Sequence, residues 1–245
     1  PDFQLRFSFP CYSTLRKGRD EMAQFRHEWK HEISLSDRLA LQARLGAVCA
    51  PDPHAPGGQY RIRSLYFDTP SDKALREKLN GVDRREKFRL RYYNSDLTLI
   101  RLEKKSKQGG LGTKETAKLT PAQAQAVVDG ELAWMADSGQ PLVRELYRKM
   151  ATQGLRPRTL VDYTRRPFVY APGNVRVTLD YDIRTGLGST DFLNPDCVTI
   201  PAGEPVTLLE VKWDAFLPSV IRDAVQLTGR QTGAFSKYAA ARIYG

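Results

Sequence analysis

The sequence predicts an α+β protein in which a closed antiparallel eight-stranded β-barrel surrounds a polar, cationic lumen and helices pack on the outside. The first observation is that about eight segments alternate charged and apolar residues at the two-residue period of a β-strand. The second is that such strands cannot all stack as a sandwich, because the inward faces of a sandwich must be apolar. The third is that segments with helical spacing are available to cover the apolar outside of a barrel.

Most of the excess positive charge lies in one stretch of the chain. The 245 residues include 38 Lys plus Arg against 28 Asp plus Glu, which gives a net charge of +10. Residues 84–118 contain eleven of these cations and four of the acids, and they account for +7 of the total. This concentration indicates a polyanionic partner, although a solvated protein face can also produce it.

The N-terminal part of the predicted barrel contains two strands and one helix. The first strand covers residues 26–33, and its charged face comprises Arg26, Glu28, Lys30 and Glu32. Ser36 is the predicted N-cap of a helix that extends to about Val48. Residues 51–58 are predicted to form a loop, and the second strand covers residues 60–68.

The middle of the chain contains the most strongly charged strands. Residues 85–92 form a strand whose cationic face comprises Arg85, Lys87, Arg89 and Arg91 and whose apolar face comprises Phe88, Leu90 and Tyr92. Residues 94–96 read as a hairpin turn that leads into a second charged strand at residues 99–107. The glycines of residues 107–114 fit neither GxxxxGK[ST] nor GxGxxG, so they predict a hairpin loop before a short strand at residues 113–118.

The C-terminal half supplies the remaining strands and most of the helices. Thr120-Pro121 is a strong N-cap and first-turn pair for a helix that ends near Asp129. Residues 141–152 show helical spacing, with Gly154 as the predicted C-cap. The other predicted elements are strands at 158–166, 175–182 and 208–212 and helices at 218–228 and 236–242.

One acidic residue lies inside an otherwise apolar strand. Glu210 belongs to the segment Leu-Leu-Glu-Val-Lys, and Lys212 shares its face. A salt bridge between neighbours is one explanation. A carboxylate inside a cationic lumen also suits a divalent metal, which is the usual companion of oligophosphates. The histidines His27, His31 and His54 fall on the apolar side of a strand or in a loop, and we expect structural roles for them.

Composition disfavours several other classes of protein. The three cysteines are far apart and form no CxxC pair, so neither a zinc site nor a disulfide framework is expected, and a reducing cytoplasm is the expected compartment. The sequence contains no apolar run of about 18 residues, which a membrane span would require. Residues 1–20 lack the features of a secretory signal, and we expect them to be an extension before a single barrel domain at residues 21–245.

Eight short segments resemble, in order, the strand motifs of the vacuolar transporter chaperone (VTC) polyphosphate polymerase domain. These segments are RHEWKHEIS at 26–34, SLYFDT at 64–69, KFRLRY at 87–92, LEKK at 102–105, YTR at 163–165, VRVTLD at 175–180, LEVK at 209–212 and SKY at 236–238. That domain belongs to the CYTH or triphosphate tunnel metalloenzyme superfamily, which has an eight-stranded antiparallel tunnel. The resemblance implies an enzyme that transfers the γ-phosphate of ATP to a growing polyphosphate chain, with Mn²⁺ or Mg²⁺ as cofactor.

Motif position in this resemblance implies three groups of site residues. The expected catalytic residues are Lys30, Arg89, Arg91, Arg165 and Lys237. The residues expected to bind substrate and phosphate are Lys87, Lys105, Arg176, Lys212, Arg63, Ser64 and Tyr66. Glu210 is expected to hold the metal, and Glu103 and Asp180 are further metal candidates. Alternation leaves Arg166 open as an alternative to Arg165.

The alternatives differ in what happens to the phosphate. The superfamily signature ExExK occurs here as Arg26-x-Glu28-x-Lys30, which lacks the first carboxylate and so disfavours a pure hydrolase. A triphosphatase for tripolyphosphate or a nucleoside triphosphate stays open, as does a non-catalytic domain that binds polyphosphate or inositol phosphates. Nucleic acid is not an expected partner, because the aromatic side chains of residues 85–92 point away from the cations. The expected partners are ATP and inorganic polyphosphate. A membrane protein that exports the polymer, and a location at the cytoplasmic face of its membrane, are left open.

Overall fold

A single antiparallel sheet forms the framework of the computed structural model, which describes residues 27–109, 111–227, 229 and 235–243. The predicted extension at residues 1–20 lies outside these residues. The strands of the sheet are β1 (His27–Ile33), β2 (Ala50–Pro51), β3 (Tyr60–Asp68), β4 (Arg85–Tyr93), β5 (Asp96–Gln108), β6 (Leu111–Leu119), β7 (Arg156–Tyr170), β8 (Val175–Thr185), β9 (Ile200–Pro201) and β10 (Thr207–Trp213). All the strands predicted from alternation are present, although several are longer than expected.

Eight strands follow one another across the sheet in the order β1-β10-β8-β7-β3-β4-β5-β6, while β2 pairs with β7 and β9 with β8. The sheet is strongly curled. Lys30 on β1 and Lys87 on β4 lie close enough to interact electrostatically, although four strands separate β1 from β4 along this path. Among the described residues no backbone pairing joins β1 to β6, the two ends of the path. The antiparallel eight-strand prediction is therefore confirmed, whereas full closure of the barrel is not.

Local sequence determines where the main helices begin and end. The helices are α1 (Leu35–Val48), α2 (Lys73–Leu79), α3 (Pro121–Asp129), α4 (Ala133–Ala136), α5 (Pro141–Gln153), α6 (Ser219–Ala224) and α7 (Lys237–Ile243). Thr120 caps α3 and Gly154, with φ 64°, ends α5, as predicted. The predicted N-cap of α1 was wrong, because Ser34 and Asp37 satisfy each other's backbone N–H groups in a capping box and Ser36 lies inside the helix. The helices α2 and α4 were not predicted.

Helices cover the outer face of the sheet in two separate hydrophobic clusters. One packs α3, α4 and α5 against buried side chains of β3, β4 and β5 such as Leu65, Leu90 and Leu102. The other packs Leu41 and Leu45 of α1, together with part of α6, against the β8–β10 region. Full burial of a side chain of this size contributes about 1.5–3 kcal/mol, so these contacts hold the sheet in its curled form. None of the helices in the described part of the chain has the length and apolar character needed to cross a membrane.

The last helix departs from the predicted arrangement, in which all helices pack outside. Tyr238 and Ala241 of α7 pack with Tyr66, Val161 and Leu208. These three sheet residues lie on the same face of the sheet as the charged residues Arg89 and Asp180. We call this side of the sheet the inner face. Helix α7 therefore lies against one end of the inner face, where it can bring its own side chains to the charged residues.

Candidate anion-binding site

The strand register brings charged side chains from distant parts of the chain onto the inner face. Lys30 pairs with Glu210, and Arg91 pairs with Ser64, although each pair joins segments far apart in sequence. On the neighbouring strands, Arg89 lies opposite Glu103. The register also places on this face Glu28, Lys87, Lys105, Lys114, Arg165, Arg176, Asp180 and Lys212. Alternation alone predicts the face of each strand, and the register shows which residues meet.

Glu210 lies at the centre of one group of cations, which we call the Glu210 cluster. Its carboxylate lies 3.0 Å from Nζ of Lys30, 3.5 Å from Nζ of Lys212, 3.8 Å from Nζ of Lys237 and 3.9 Å from Nη2 of Arg165. Burial by itself would raise the pKa of Glu210, but Lys237, Lys30 and Arg165 hold it well below its ordinary value. Glu210 is therefore an anion at any pH at which the protein is expected to work.

Asp180 completes the Glu210 cluster by holding two of the same cations. The Arg165 guanidinium donates two hydrogen bonds of 2.6 Å to the Asp180 carboxylate, and Nζ of Lys237 lies 2.7 Å from it. The Asp180 side chain is wholly buried. Burial opposes ionisation, yet Arg165 and Lys237 lower the pKa of Asp180. Two-point binding to a planar guanidinium fixes the orientation of Arg165, so Asp180 acts here as an anchor for cations.

A second group of cations surrounds Glu103, and we call it the Glu103 cluster. Nε of Arg89 donates to Glu103 at 2.7 Å, while Lys114 lies at 2.5 Å and Arg91 at 3.6 Å. Arg89 also donates to the hydroxyl of Tyr66 at 2.8 Å. The Glu103 side chain is wholly buried, and although burial would raise its pKa, Arg89, Arg91 and Lys114 hold that pKa far below the ordinary value.

Tyr163 and Lys105 connect the two clusters. Arg91 donates to Oγ of Ser64 and to the hydroxyl of Tyr163, both at 3.1 Å. Nζ of Lys237 lies 4.6 Å from the centroid of the same Tyr163 ring, within the range of a cation–π interaction. Lys105 interacts electrostatically with both Arg89 and Glu210. The two clusters therefore form one continuous site on the inner face.

Two lysines of this site have no salt bridge among the residues that the structure describes. The pKa of Lys87 is lowered to about 8, mainly by burial, with smaller contributions from Arg89, Lys30 and Lys78 and against the opposing effect of Tyr66. Burial also holds the pKa of Lys105 well below its ordinary value, with Arg89 and Lys212 adding to the effect. Lys105 is nevertheless exposed to solvent along part of its side chain. The site therefore carries positive charge that its own carboxylates do not offset.

The structure separates some predicted site residues from this group. Arg63 lies on the outer face, because it is the direct neighbour of inward-facing Ser64, and its guanidinium binds the buried Asp162 carboxylate at 2.8 and 2.9 Å. Arg176 lies on the inner face, but its guanidinium is held at the end of the sheet by Asp52 at 2.7 Å and by the hydroxyl of Tyr60 at 3.1 Å. The prediction of Arg63 as a phosphate-binding residue is not supported by this position.

Two further points of the sequence prediction are decided by the register. Arg165 points to the inner face, whereas Arg166 donates to the side chain of Gln59 at 3.2 Å, so the alternative assignment is removed. Lys114 and Tyr163 belong to the site but were not singled out from the sequence. The available signal was alternation: Lys114 lies opposite Lys105 in the register, and Tyr163 precedes Arg165 by two residues on the same strand.

The carboxylates of the site fit a metal only in a limited way. Among the described residues there is no group of three His, Cys, Asp or Glu side chains that could hold a metal ion. Cations already contact both oxygens of Glu103 and of Asp180, although Lys114 at Glu103 is itself partly exposed. Mg²⁺ commonly uses one or two carboxylates together with substrate phosphates. Glu210 is also surrounded by cations, but its shortest contact, 3.0 Å to Lys30, is longer than the shortest contacts of the other two carboxylates, so Glu210 is the one that could accept a metal arriving with phosphate.

A curled antiparallel sheet that carries Arg and Lys side chains along its inner face defines the class of this protein. The family model described as the VTC domain matches residues 25–244, and the chain belongs to that family. This match confirms the resemblance found in the strand motifs. It also covers nearly all of the region predicted to form one domain.

Several solved structures are similar to this chain at low sequence identity. A proposed adenylate cyclase from Bacillus halodurans shares 16% identity, with a TM-score of 0.47 over 77% of this chain and 80% of that one. A second proposed adenylate cyclase, from Vibrio parahaemolyticus, shares 11% identity, with a TM-score of 0.43 over 82% and 83% of the two chains. The PH1819 protein from Pyrococcus horikoshii OT3 shares 13% identity, with a TM-score of 0.41 over 82% and 84%. No curated protein matched the sequence.

Proposed function

We propose that this protein is a metal-dependent polyphosphate polymerase that transfers the γ-phosphate of ATP to a growing chain of inorganic polyphosphate. The observation that carries the proposal is the uncompensated positive charge of the inner face. Lys87 and Lys105 are held with lowered pKa values among other cations, with no salt bridge to a described carboxylate. A bound polyanion would supply the missing negative charge, and membership of the VTC family points to polyphosphate as that anion.

The shape of the site favours a linear, highly charged ligand over a single small anion. Cations reach the inner face from β1, β4, β5, β7 and α7, and Tyr163 links the Glu210 cluster to the Glu103 cluster. Guanidinium groups such as those of Arg89 and Arg91 can bind phosphate oxygens in pairs, whereas lysines act as point charges. Successive phosphates of one chain could therefore contact successive cations along the sheet.

The residues are sufficient for phosphoryl transfer without a protein nucleophile. In this reaction the protein mainly positions the reactants and offsets the charge of the transferred group. The terminal phosphate of a polyphosphate chain is already an anion at neutral pH and can act as the attacking group. We assign Arg89, Arg91, Arg165, Lys30 and Lys237 to binding and orienting the phosphates around the transferred group.

Other residues of the site have supporting roles in this proposal. Lys87, Lys105 and Lys212 would neutralise the rest of the chain. The hydroxyls of Ser64 and Tyr66 already bind Arg91 and Arg89, and so would hold these two guanidinium groups in place. Glu103 and Asp180 would orient cations, since both are enclosed by them. Glu210 would hold Mn²⁺ or Mg²⁺, which when bound supplies further positive charge to the phosphates.

The test is the product made from ATP by the purified protein. With ATP and Mn²⁺ or Mg²⁺ we expect a polyphosphate ladder on a gel and ADP in solution, and we expect Arg89→Ala to lower the rate by at least about 100-fold. Release of orthophosphate without polymer would identify a triphosphatase instead. Tight binding of tripolyphosphate without turnover would identify a binding domain. Association with a membrane partner and a cytoplasmic location stay predictions.

A further inference from the structure

We propose that Tyr238 is a positioning residue, which places Lys237 in the Glu210 cluster by anchoring α7 to Asp68. The inference rests on the proposed function, because it concerns how the polyphosphate site is held together. Lys237 is the only residue of α7 that reaches the Glu210 cluster through a described ion pair. Its position depends on how α7 is fixed to the sheet, and the contacts of the next residue, Tyr238, show how this is done.

Asp68 provides a rigid anchor at the end of β3. Its side chain is wholly buried and accepts hydrogen bonds from three backbone N–H groups, those of Thr69 at 2.8 Å, Ala74 at 2.8 Å and Leu75 at 3.1 Å. The fourth donor is the hydroxyl of Tyr238, at 2.5 Å. A buried carboxylate held by the backbone of two elements has little freedom to move. The Tyr238 hydroxyl is therefore bound to a fixed point of the framework.

A second contact holds the other end of α7 to the same region. The Arg242 guanidinium donates to the two oxygens of Asp72 at 2.9 and 3.2 Å, just before α2 begins. Thr185 donates to the backbone carbonyl of Ala241 at 3.1 Å. These contacts keep α7 on the sheet but lie about one turn away from Lys237. Among the described contacts, the Tyr238 hydroxyl is the polar anchor nearest in sequence to Lys237.

Tyr238 also contacts the other half of the site. Its ring stacks on Tyr66 with a centroid distance of 5.1 Å, and the Tyr66 hydroxyl accepts a hydrogen bond from Arg89. The ring and the hydroxyl of Tyr238 therefore have separable roles. The ring supports Tyr66 and the Glu103 cluster, while the hydroxyl fixes α7 and with it Lys237.

The experiment is a double-mutant cycle that measures binding of tripolyphosphate by calorimetry. The variants are Tyr238→Phe, Lys237→Ala and the combination of the two. Tyr238→Phe keeps the stacked ring and removes only the hydroxyl, and we expect it to weaken binding about tenfold, as a small displacement of a binding group does. In the Lys237→Ala background the same change should have no further effect, because the group that Tyr238 positions is gone.

A matched control separates this effect from a general loss of a tyrosine hydroxyl. Tyr181→Phe removes a hydroxyl that contacts Gln59 at 2.5 Å on the exposed side of the sheet, and binding should be unchanged. Thermal unfolding of each variant checks folding. Should Tyr238→Phe unfold the protein, Arg242→Gln replaces it in the same cycle, because Nη1 of Arg242 donates to the Tyr238 hydroxyl at 3.4 Å and helps to hold it. This variant should again weaken binding only when Lys237 is present.

The outcomes distinguish this inference from the proposed function. If the wild type binds tripolyphosphate and Tyr238→Phe weakens binding equally with and without Lys237, the positioning role is refuted and the proposed function stands. The same conclusion follows if Tyr238→Phe weakens binding in neither case. An absence of tripolyphosphate binding by the wild type would refute both. Binding by the wild type with a non-additive cycle, but no polymer from ATP, would support the positioning role and refute the polymerase.

Discussion

Replacement of Glu103 by glutamine should destabilise the fold while it leaves the shape of the side chain almost unchanged. The carboxylate is wholly buried and lies 2.5 Å from Lys114, 2.6 Å from Nη2 of Arg89 and 3.6 Å from Arg91. A neutral amide leaves these cations without their counter-charge. Removal of one partner of a buried ion pair typically costs about 3–5 kcal/mol, and we expect a value near 3 kcal/mol because the amide oxygen can still accept one hydrogen bond.

The assay is unfolding by urea and by heat, with the wild type measured in parallel. For a chain of this length, about 3 kcal/mol corresponds to a fall in Tm of roughly 6–12 °C. The matched control is Glu145→Gln, because the Glu145 carboxylate contacts Lys104 at 2.7 Å but is partly exposed. Partly exposed pairs of this kind contribute at most about 1 kcal/mol. Equal effects of the two substitutions would refute the assignment of Glu103 as the buried counter-charge.

The pH dependence of stability provides a second test of the same residue. The folded state lowers the pKa of Glu103, so the unfolded state binds a proton first as the pH falls. The stabilising contribution of Glu103 should therefore be complete at neutral pH and should decline below about pH 4.5, the ordinary value. In Glu103→Gln this part of the acid destabilisation should disappear. Parallel stability–pH curves for wild type and variant would contradict the reasoning.

Three further predictions concern other parts of the site. Arg63→Ala should lower the free energy of unfolding by about 3 kcal/mol, because it leaves a buried carboxylate unpaired, yet tripolyphosphate affinity measured by calorimetry should stay within about twofold of wild type. Binding of tripolyphosphate at pH 8 should take up protons, because a bound anion raises the lowered pKa of Lys87. Calorimetry in buffers of different ionisation enthalpy measures this proton uptake, which should be smaller in Lys87→Gln. Removal of metal with a chelator, or Glu210→Gln, should abolish polymer synthesis from ATP, and wild-type protein that remains fully active in the chelator would contradict the metal role of Glu210.

Prediction from sequence succeeded where a local rule applies. The alternation of residues 85–92 placed Lys87, Arg89 and Arg91 on one face, and the structure has them there, because successive side chains of a strand must point in opposite directions. The Thr120 cap was confirmed for a similar reason, since the capping hydrogen bonds involve residues three apart. The same kind of rule was misapplied to Ser36, where Ser34 formed the better capping box with Asp37.

Prediction was weaker where a residue's role depends on a partner far away in the chain. Arg63 was expected to bind phosphate, but its side chain faces outward to Asp162, 99 residues later. Glu103 and Asp180 were further metal candidates, and in the structure both lie in short contact with cations from other strands and from α7. Alternation assigns a side to each of these residues. It carries no information on which opposite charge arrives from another strand.

By itself, the sequence determined the family, the antiparallel strands, the cationic inner face and most of the residues that lie on it. These properties follow from short-range patterns, because the period of a strand is set by covalent geometry. The tertiary structure alone decided that α7 lies against the inner face and that Lys237 joins Asp180 and Glu210. It also decided that Lys87 and Lys105 lie among cations without a salt bridge to a described carboxylate. The balance of charge in a buried site depends on distances between strands, and only the curled sheet sets those distances.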